Sequence, residues 1–210
     1  MSSEIISTQN RILNATWELL EADLGKPVRM ADIAKKAGIS RQALYLHFPT
    51  RAELLIATTL YLDEIKGSEA MLVPSRTAGT GVERLNAYIT GWGAYVPEIY
   101  GVAKALLAMK DTDEAAATAW DLRMQAVRHG CEAAINALHK DGTLRPECTK
   151  KAATDILWTL MSVRNWEQLT IECGMSQKKY VETISNLAQR MFVIDKPSSA
   201  KTSRTRAKRA

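Results

Sequence analysis

Residues Ala37–Leu54 read AGISRQALYLHFPTRAEL. A glycine stands early, a proline late, and Ser40, Arg41, Gln42, Tyr45 and His47 are gathered between them. Ser40 suits a helix N-cap, because its hydroxyl can accept from an early backbone amide. The helix it opens runs from Arg41 to about His47, and Pro49 closes it. Just upstream, Met30–Ala37 reads as a second helix that Gly38 ends by taking a left-handed conformation. Two helices joined by a short glycine-containing turn, here Gly38-Ile39-Ser40, form a helix-turn-helix. Ala34 permits close approach, Ile39 and Leu44 are left to set the helix angle, and the other side chains of the third helix face outward.

That outward face has the chemistry of a DNA reader. The start of a recognition helix is where base edges are met, and Arg41, Gln42 and Ala43 lie there. Glutamine pairs bidentately with adenine and arginine with guanine. Tyr45, His47, Thr50 and Arg51 are placed to reach phosphates, as is Arg29 at the start of the second helix. Leu46 either meets a thymine methyl or packs. The alternative is a solvated surface helix in a helical enzyme or scaffold, which leaves the polar face without a reason.

The pattern continues on both sides. Arg11-Ile12-Leu13-Asn14-Ala15, Gly25, Asp32-Ile33-Ala34-Lys35-Lys36-Ala37-Gly38-Ile39-Ser40, Leu44-Tyr45, His47-Phe48-Pro49-Thr50-Arg51 and Leu54 stand at fixed offsets. Over about Asn10–Leu55 the chain resembles the amino-terminal domain of the TetR family of bacterial transcriptional regulators. Three positions depart from that family's habit. Arg29 stands where threonine often caps the second helix, Gln42 where a small residue is common, and Leu46 where many members are polar. Gln42 is read as a specificity residue of this member.

Outside this region the periodicity is helical throughout. Apolar residues 12, 13, 15, 19 and 20 stripe a first helix over about Ser7–Ala22, and Thr50-Arg51-Ala52-Glu53 reads as a capping box opening a fourth, to about Lys66. Residues 67–81 read as a loop. Helices follow at about 82–95, 97–109, 112–139, 149–172 and 176–192, with a turn at Gly142-Thr143-Leu144-Arg145-Pro146 that also looks like the family's. No strand pattern is present. The fold expected is all-α: a helix-turn-helix domain over 1–55, then a helical effector-binding and dimerisation domain over 56–195.

The net charge of +5 is unevenly spread. Residues 196–210 contain Lys196, Lys201, Arg204, Arg206, Lys208 and Arg209 and no acid, which reads as a disordered basic tail. It is either a solvated end or an arm that tracks phosphates. No apolar run is long enough to span a membrane, no secretory leader is evident, and Cys131, Cys148 and Cys173 fit reduced thiols, so a cytoplasmic protein is expected.

The sequence offers no catalytic constellation, metal set or cofactor motif. His129 and Cys131 are two apart on a helix and diverge. The resemblance implies a homodimer formed through the last two helices, which would set two reading heads on successive major grooves of a palindromic operator. Leu157, Leu160, Tyr180, Ile184, Leu187 and Met191 are the candidate interface residues. It also implies a small-molecule effector. The middle helices hold most of the aromatic residues, so an apolar or aromatic effector walled by Trp92, Trp120, Met124 and Trp158 is expected, with release of a bound repressor as the mechanism.

Overall fold

The computed structural model describes residues 7–22 and 26–194. Gly25 and the 196–210 tail lie outside them. Four helices make the amino-terminal part: α1 (Thr8–Ala22), α2 (Met30–Lys36), α3 (Arg41–His47) and α4 (Arg51–Ile65). Six more follow: α5 (Ser68–Arg76), α6 (Gly81–Met109), α7 (Glu114–Lys140), α8 (Lys150–Leu160), α9 (Val163–Glu167) and α10 (Gln177–Phe192). A π-helical turn, Gln168–Glu172, prolongs α9. Among the described residues the only β feature is a single antiparallel bridge, Leu144 to Val193, which ties the turn after α7 to the end of α10.

The amino-terminal helices form as the sequence dictates. The Ser40 hydroxyl accepts from the Ala43 amide at 3.1 Å and opens α3. Thr50 does the same for α4, accepting from Glu53 at 3.1 Å. The Glu53 carboxylate takes the Thr50 hydroxyl rather than its amide, so the box is half-formed. Arg29 sits at the N-cap of α2 in an extended conformation and provides no side-chain cap. Gly38 has φ 68°, a conformation that costs other residues about 1–2 kcal/mol. Ile12, Leu20, Ile33, Leu44, Leu54 and Leu55 are fully enclosed in one core.

Three expectations beyond this region are corrected. Residues 68–76 form helix α5 rather than a loop, because Met71 and Leu72 pack against the larger core and outweigh the breaking effect of Pro74. The segments at 82–95 and 97–109 are one helix, α6, which runs through Pro97. Proline cannot donate to the carbonyl four residues back. That carbonyl, Gly93 O, accepts instead from the side-chain amide of Gln177 on α10. Gly91 and Gly93, on either side of Trp92, lie within this helix. A Cβ on Gly91 would lie 2.6 Å from the Met71 carbonyl oxygen of α5, and one on Gly93 would collide with Val181 of α10. Both glycines serve close packing. The segment 149–172 is two helices, since Ser162 caps a new one by accepting from Asn165 at 3.2 Å.

A second core fills the carboxy-terminal part, built on Leu85, Ile89, Val96, Ile135, Leu157, Tyr180, Ile184 and Phe192. The first core does not stop at α4. It continues into Val102, Leu106 and Met109 of α6 and Ala116 and Ala119 of α7. The amino-terminal helices are therefore seated on the far half of α6 and the first turns of α7, and α4 lies along α7.

Candidate nucleic-acid interface and ligand cavity

On α3 a single residue faces inward: Leu44 is fully buried, and Phe48 follows it into the core. Arg41, Gln42, Tyr45, Leu46 and His47 are all exposed, Leu46 at 83%. Ser40, Thr50 and Arg29 are exposed as well, and Ala43 is half-buried. Arg41 donates to the Tyr45 hydroxyl at 3.4 Å, and its guanidinium lies 5.6 Å from the centre of the Tyr45 ring. The stacking holds two exposed side chains together one helical turn apart. A surface hollow beside them is lined by Arg29, Arg41, Tyr45 and Arg51.

Arg51 differs from the expectation of a free phosphate ligand. Its Nε donates to Val28 O at 2.8 Å, and Nη1 donates to both carboxylate oxygens of Asp113, at 2.6 and 2.5 Å. Asp113 is also the N-cap of α7, accepting from Ala116 at 3.2 Å. Burial alone would raise the Asp113 carboxyl. Hydrogen bonds from Arg51 and the helix amides, with the charge of Arg51, outweigh that and hold it below the ordinary aspartate value. Asp113 is invisible as a partner in the sequence, since 62 positions separate the pair.

Of the candidate effector walls, Trp92, Trp120 and Met124 converge. They line a cavity of about 40 Å³ between α4, α6 and α7, with Tyr95, Ile99, Leu106 and Val127. Trp158 does not join them, because it packs on α8 against the larger core. Along α7, Cys131, Ile135 and Leu138 are fully buried core, while Trp120, Met124 and Val127 line the cavity. Burial pushes the Cys131 thiol up to about 12, so it is neutral and no nucleophile.

A polar group that sequence reasoning missed stands in the cavity wall. The Asp63 carboxylate on α4 accepts from the Tyr95 hydroxyl of α6 through one oxygen and from Arg123 of α7 through the other. Burial, and then the bond to Asp63, raise the Tyr95 hydroxyl far above the ordinary tyrosine value and keep it protonated. The three residues come from three helices, and no local spacing signals their meeting. Among the described residues no cluster of three or more His, Cys, Asp or Glu could hold a metal ion. No described helix is long and apolar enough to cross a membrane.

The candidate dimer residues also divide. Leu157, Tyr180 and Ile184 lie in the protomer's own core, so they are corrected from interface to core. The 3.6-residue stripe of α10 that turns inward is Tyr180, Ile184, Ala188 and Phe192. Leu187 and Met191 remain on the surface at 41% and 38%, as does Ile156 of α8 at 39%, and Leu160 is half-buried.

The chain joins a helix-turn-helix with an exposed polar third helix to an all-helical body with an aromatic-lined cavity. Residues 12–58 match the model of "Bacterial regulatory proteins, tetR family". Curated relatives are nucleoid occlusion factors SlmA. That of Marinobacter nauticus is 32% identical over 73 residues, 35% of this chain and 37% of the relative. That of a Marinomonas species is 33% identical over 64 residues, 30% and 32%. The matched stretch thus spans about a third of these relatives' length.

Solved structures agree over nearly the whole chain in fold. A regulator of Saccharomonospora viridis in complex with choline superposes with TM-score 0.69 at 17% identity, covering 89% of this chain and 98% of that one. FadR of Bacillus subtilis in complex with stearoyl-CoA does so with TM-score 0.69 at 14% identity, covering 86% and 97%. SmeT in its triclosan complex gives TM-score 0.69 at 16% identity, covering 90% and 92%.

Proposed function

We propose that this protein is a cytoplasmic transcriptional regulator: a homodimeric repressor that binds a palindromic operator and is released by a small apolar or aromatic effector. One observation carries the reading. The recognition helix spends one side chain, Leu44, on packing and presents Arg41, Gln42, Tyr45, Leu46 and His47 to solvent. Such a helix has no structural reason for those residues. A DNA groove supplies one. Gln42 and Arg41 read base edges, and Tyr45, His47, Thr50 and Arg29 position the helix on phosphates.

A head of this size needs a second copy to bind tightly, and Ile156, Leu187 and Met191 offer the apolar surface through which it pairs. The effector occupies the cavity walled by Trp92, Trp120 and Met124. Choline, triclosan and stearoyl-CoA, bound by structural neighbours, share no chemistry, so the fold alone selects no ligand class. Effector and DNA then weaken each other's binding by the same factor.

The test is a genome-wide selection of fragments bound by the purified protein at physiological salt. A few palindromic sites are expected, lost in Arg41→Ala and Tyr45→Ala with helicity intact. Uniform recovery that vanishes with salt, or full binding by both variants, overturns the reading.

A further inference from the structure

Two spaces meet at the polar group on α4. The cavity of about 40 Å³ and a cleft of about 340 Å³ between α4, α5, α6 and α7 share Asp63, Trp92, Tyr95, Arg123 and Val127 as lining. The Asp63–Arg123 pair and the Tyr95 bond to it form part of the wall of both.

The two halves of the pair differ in how easily they leave. Asp63 is a short side chain, 17% exposed, held also by the Tyr95 hydroxyl. It cannot withdraw unless α4 moves. Arg123 is long and 27% exposed, so its guanidinium can swing to water at the cost of side-chain rotation alone. The other charged groups lining these spaces, Glu69 and Arg76, are paired with one another. Tyr95 bonds Asp63 directly, and Trp92, Trp120 and Met124 line the same cavity. Ring faces carry negative quadrupole charge and attract cations, most strongly where water is excluded. An arriving cation that replaces the guanidinium leaves the charge of the site unchanged, whereas an anion would leave Asp63 half-buried without a counter-charge.

We propose that the effector is an organic cation with an aromatic or apolar body, whose charged head displaces Arg123 from Asp63 and lies among Trp92, Tyr95 and Trp120. This rests on the effector-cavity reading given above and adds its ligand class. It also gives the cavity a handle on the reading head. α4 is tied to α7 at two points, Arg51 to Asp113 beside the recognition helix and Asp63 to Arg123 at the cavity. The bound cation releases the second tie and leaves α4 held by the first.

The experiment is calorimetric titration of the full chain with benzyltrimethylammonium, its neutral isostere neopentylbenzene, and phenylacetate. The ammonium compound is expected to bind at least about tenfold more tightly than the other two. Asp63→Asn loses that preference. Arg123→Gln, which removes the competing guanidinium, tightens the cation about tenfold. Trp120→Leu weakens the cation more than the isostere and serves as the second variant if Asp63→Asn unfolds. Phenylacetate binding that Arg123→Gln abolishes overturns the proposal in favour of an anion. Equal binding of all three overturns it in favour of apolar contact. In both cases the effector cavity itself stands. Failure of these probes and of a broad panel of neutral, anionic and cationic aromatics to bind overturns the cavity reading and this proposal together.

Discussion

Replacing Arg51 by alanine separates a structural role from a DNA contact. The side chain is 21% exposed and its partner Asp113 11%. Truncation strands the Asp113 carboxylate, and a stranded, largely buried charge costs about 2–3 kcal/mol. The Val28 carbonyl loses a hydrogen bond worth about 1 kcal/mol. The sum, about 3–4 kcal/mol, lowers the melting temperature by about 6–16 °C in a chain of this size. Asp113→Ala should give a similar loss, and the double variant little more, with a coupling of about 2 kcal/mol in the cycle.

The pH dependence has a definite sign. The folded Asp113 carboxyl lies below its unfolded value of about 3.9. Its contribution is therefore complete above about pH 4 and disappears as pH falls through the folded value. Wild type and Asp113→Ala should differ fully at pH 7 and converge in acid. Thermal unfolding from pH 3 to 7 measures this. Fluorescence anisotropy on operator DNA measures the rest: with Arg51 engaged internally, the salt slope should be the same in Arg51→Ala. A slope reduced by about 0.9, the value for one phosphate contact, with an unchanged melting temperature would refute the reasoning. So would a coupling below about 0.5 kcal/mol.

Gln42→Ala should relax preference at one operator position by about 1–3 kcal/mol while leaving the salt slope alone, as read by competition with single-base variants. Leu187→Glu together with Met191→Glu should yield monomers in sedimentation at unchanged helicity, because both side chains are solvent-facing within the protomer. Operator affinity should fall with it. Deleting residues 196–210 should reduce the salt slope if the basic tail tracks phosphates, and leave it unchanged if the tail is merely solvated.

Local signals carried the reading head. Ser40, Thr50, Gly38 and Pro49 act within three or four residues of themselves, so caps, turns and the boundaries of α2, α3 and α4 were legible. The exposure of α3 followed too, since a seven-residue helix with one committed apolar side chain leaves the rest outside. Periodicity revealed which helices are two-sided, but not which side turns inward. On α10 the rows Tyr180–Ile184–Ala188 and Leu187–Met191 read alike, and neighbouring helices alone decide that the first is core.

What tertiary structure decided rests on partners distant in sequence. Pro97 could not have been placed inside α6 from its neighbours, because the orphaned Gly93 carbonyl is satisfied 84 positions away by Gln177. Arg51 reads locally as a phosphate ligand and becomes a strut only when α7 brings Asp113 to it. Asp63, Tyr95 and Arg123 have no shared local pattern, and they form one group because three helices pack there. Local chemistry, acting over a helical turn, determined that the third helix presents a polar face with no packing role. Which side chains are free to respond to a ligand was left to the packing of helices remote along the chain.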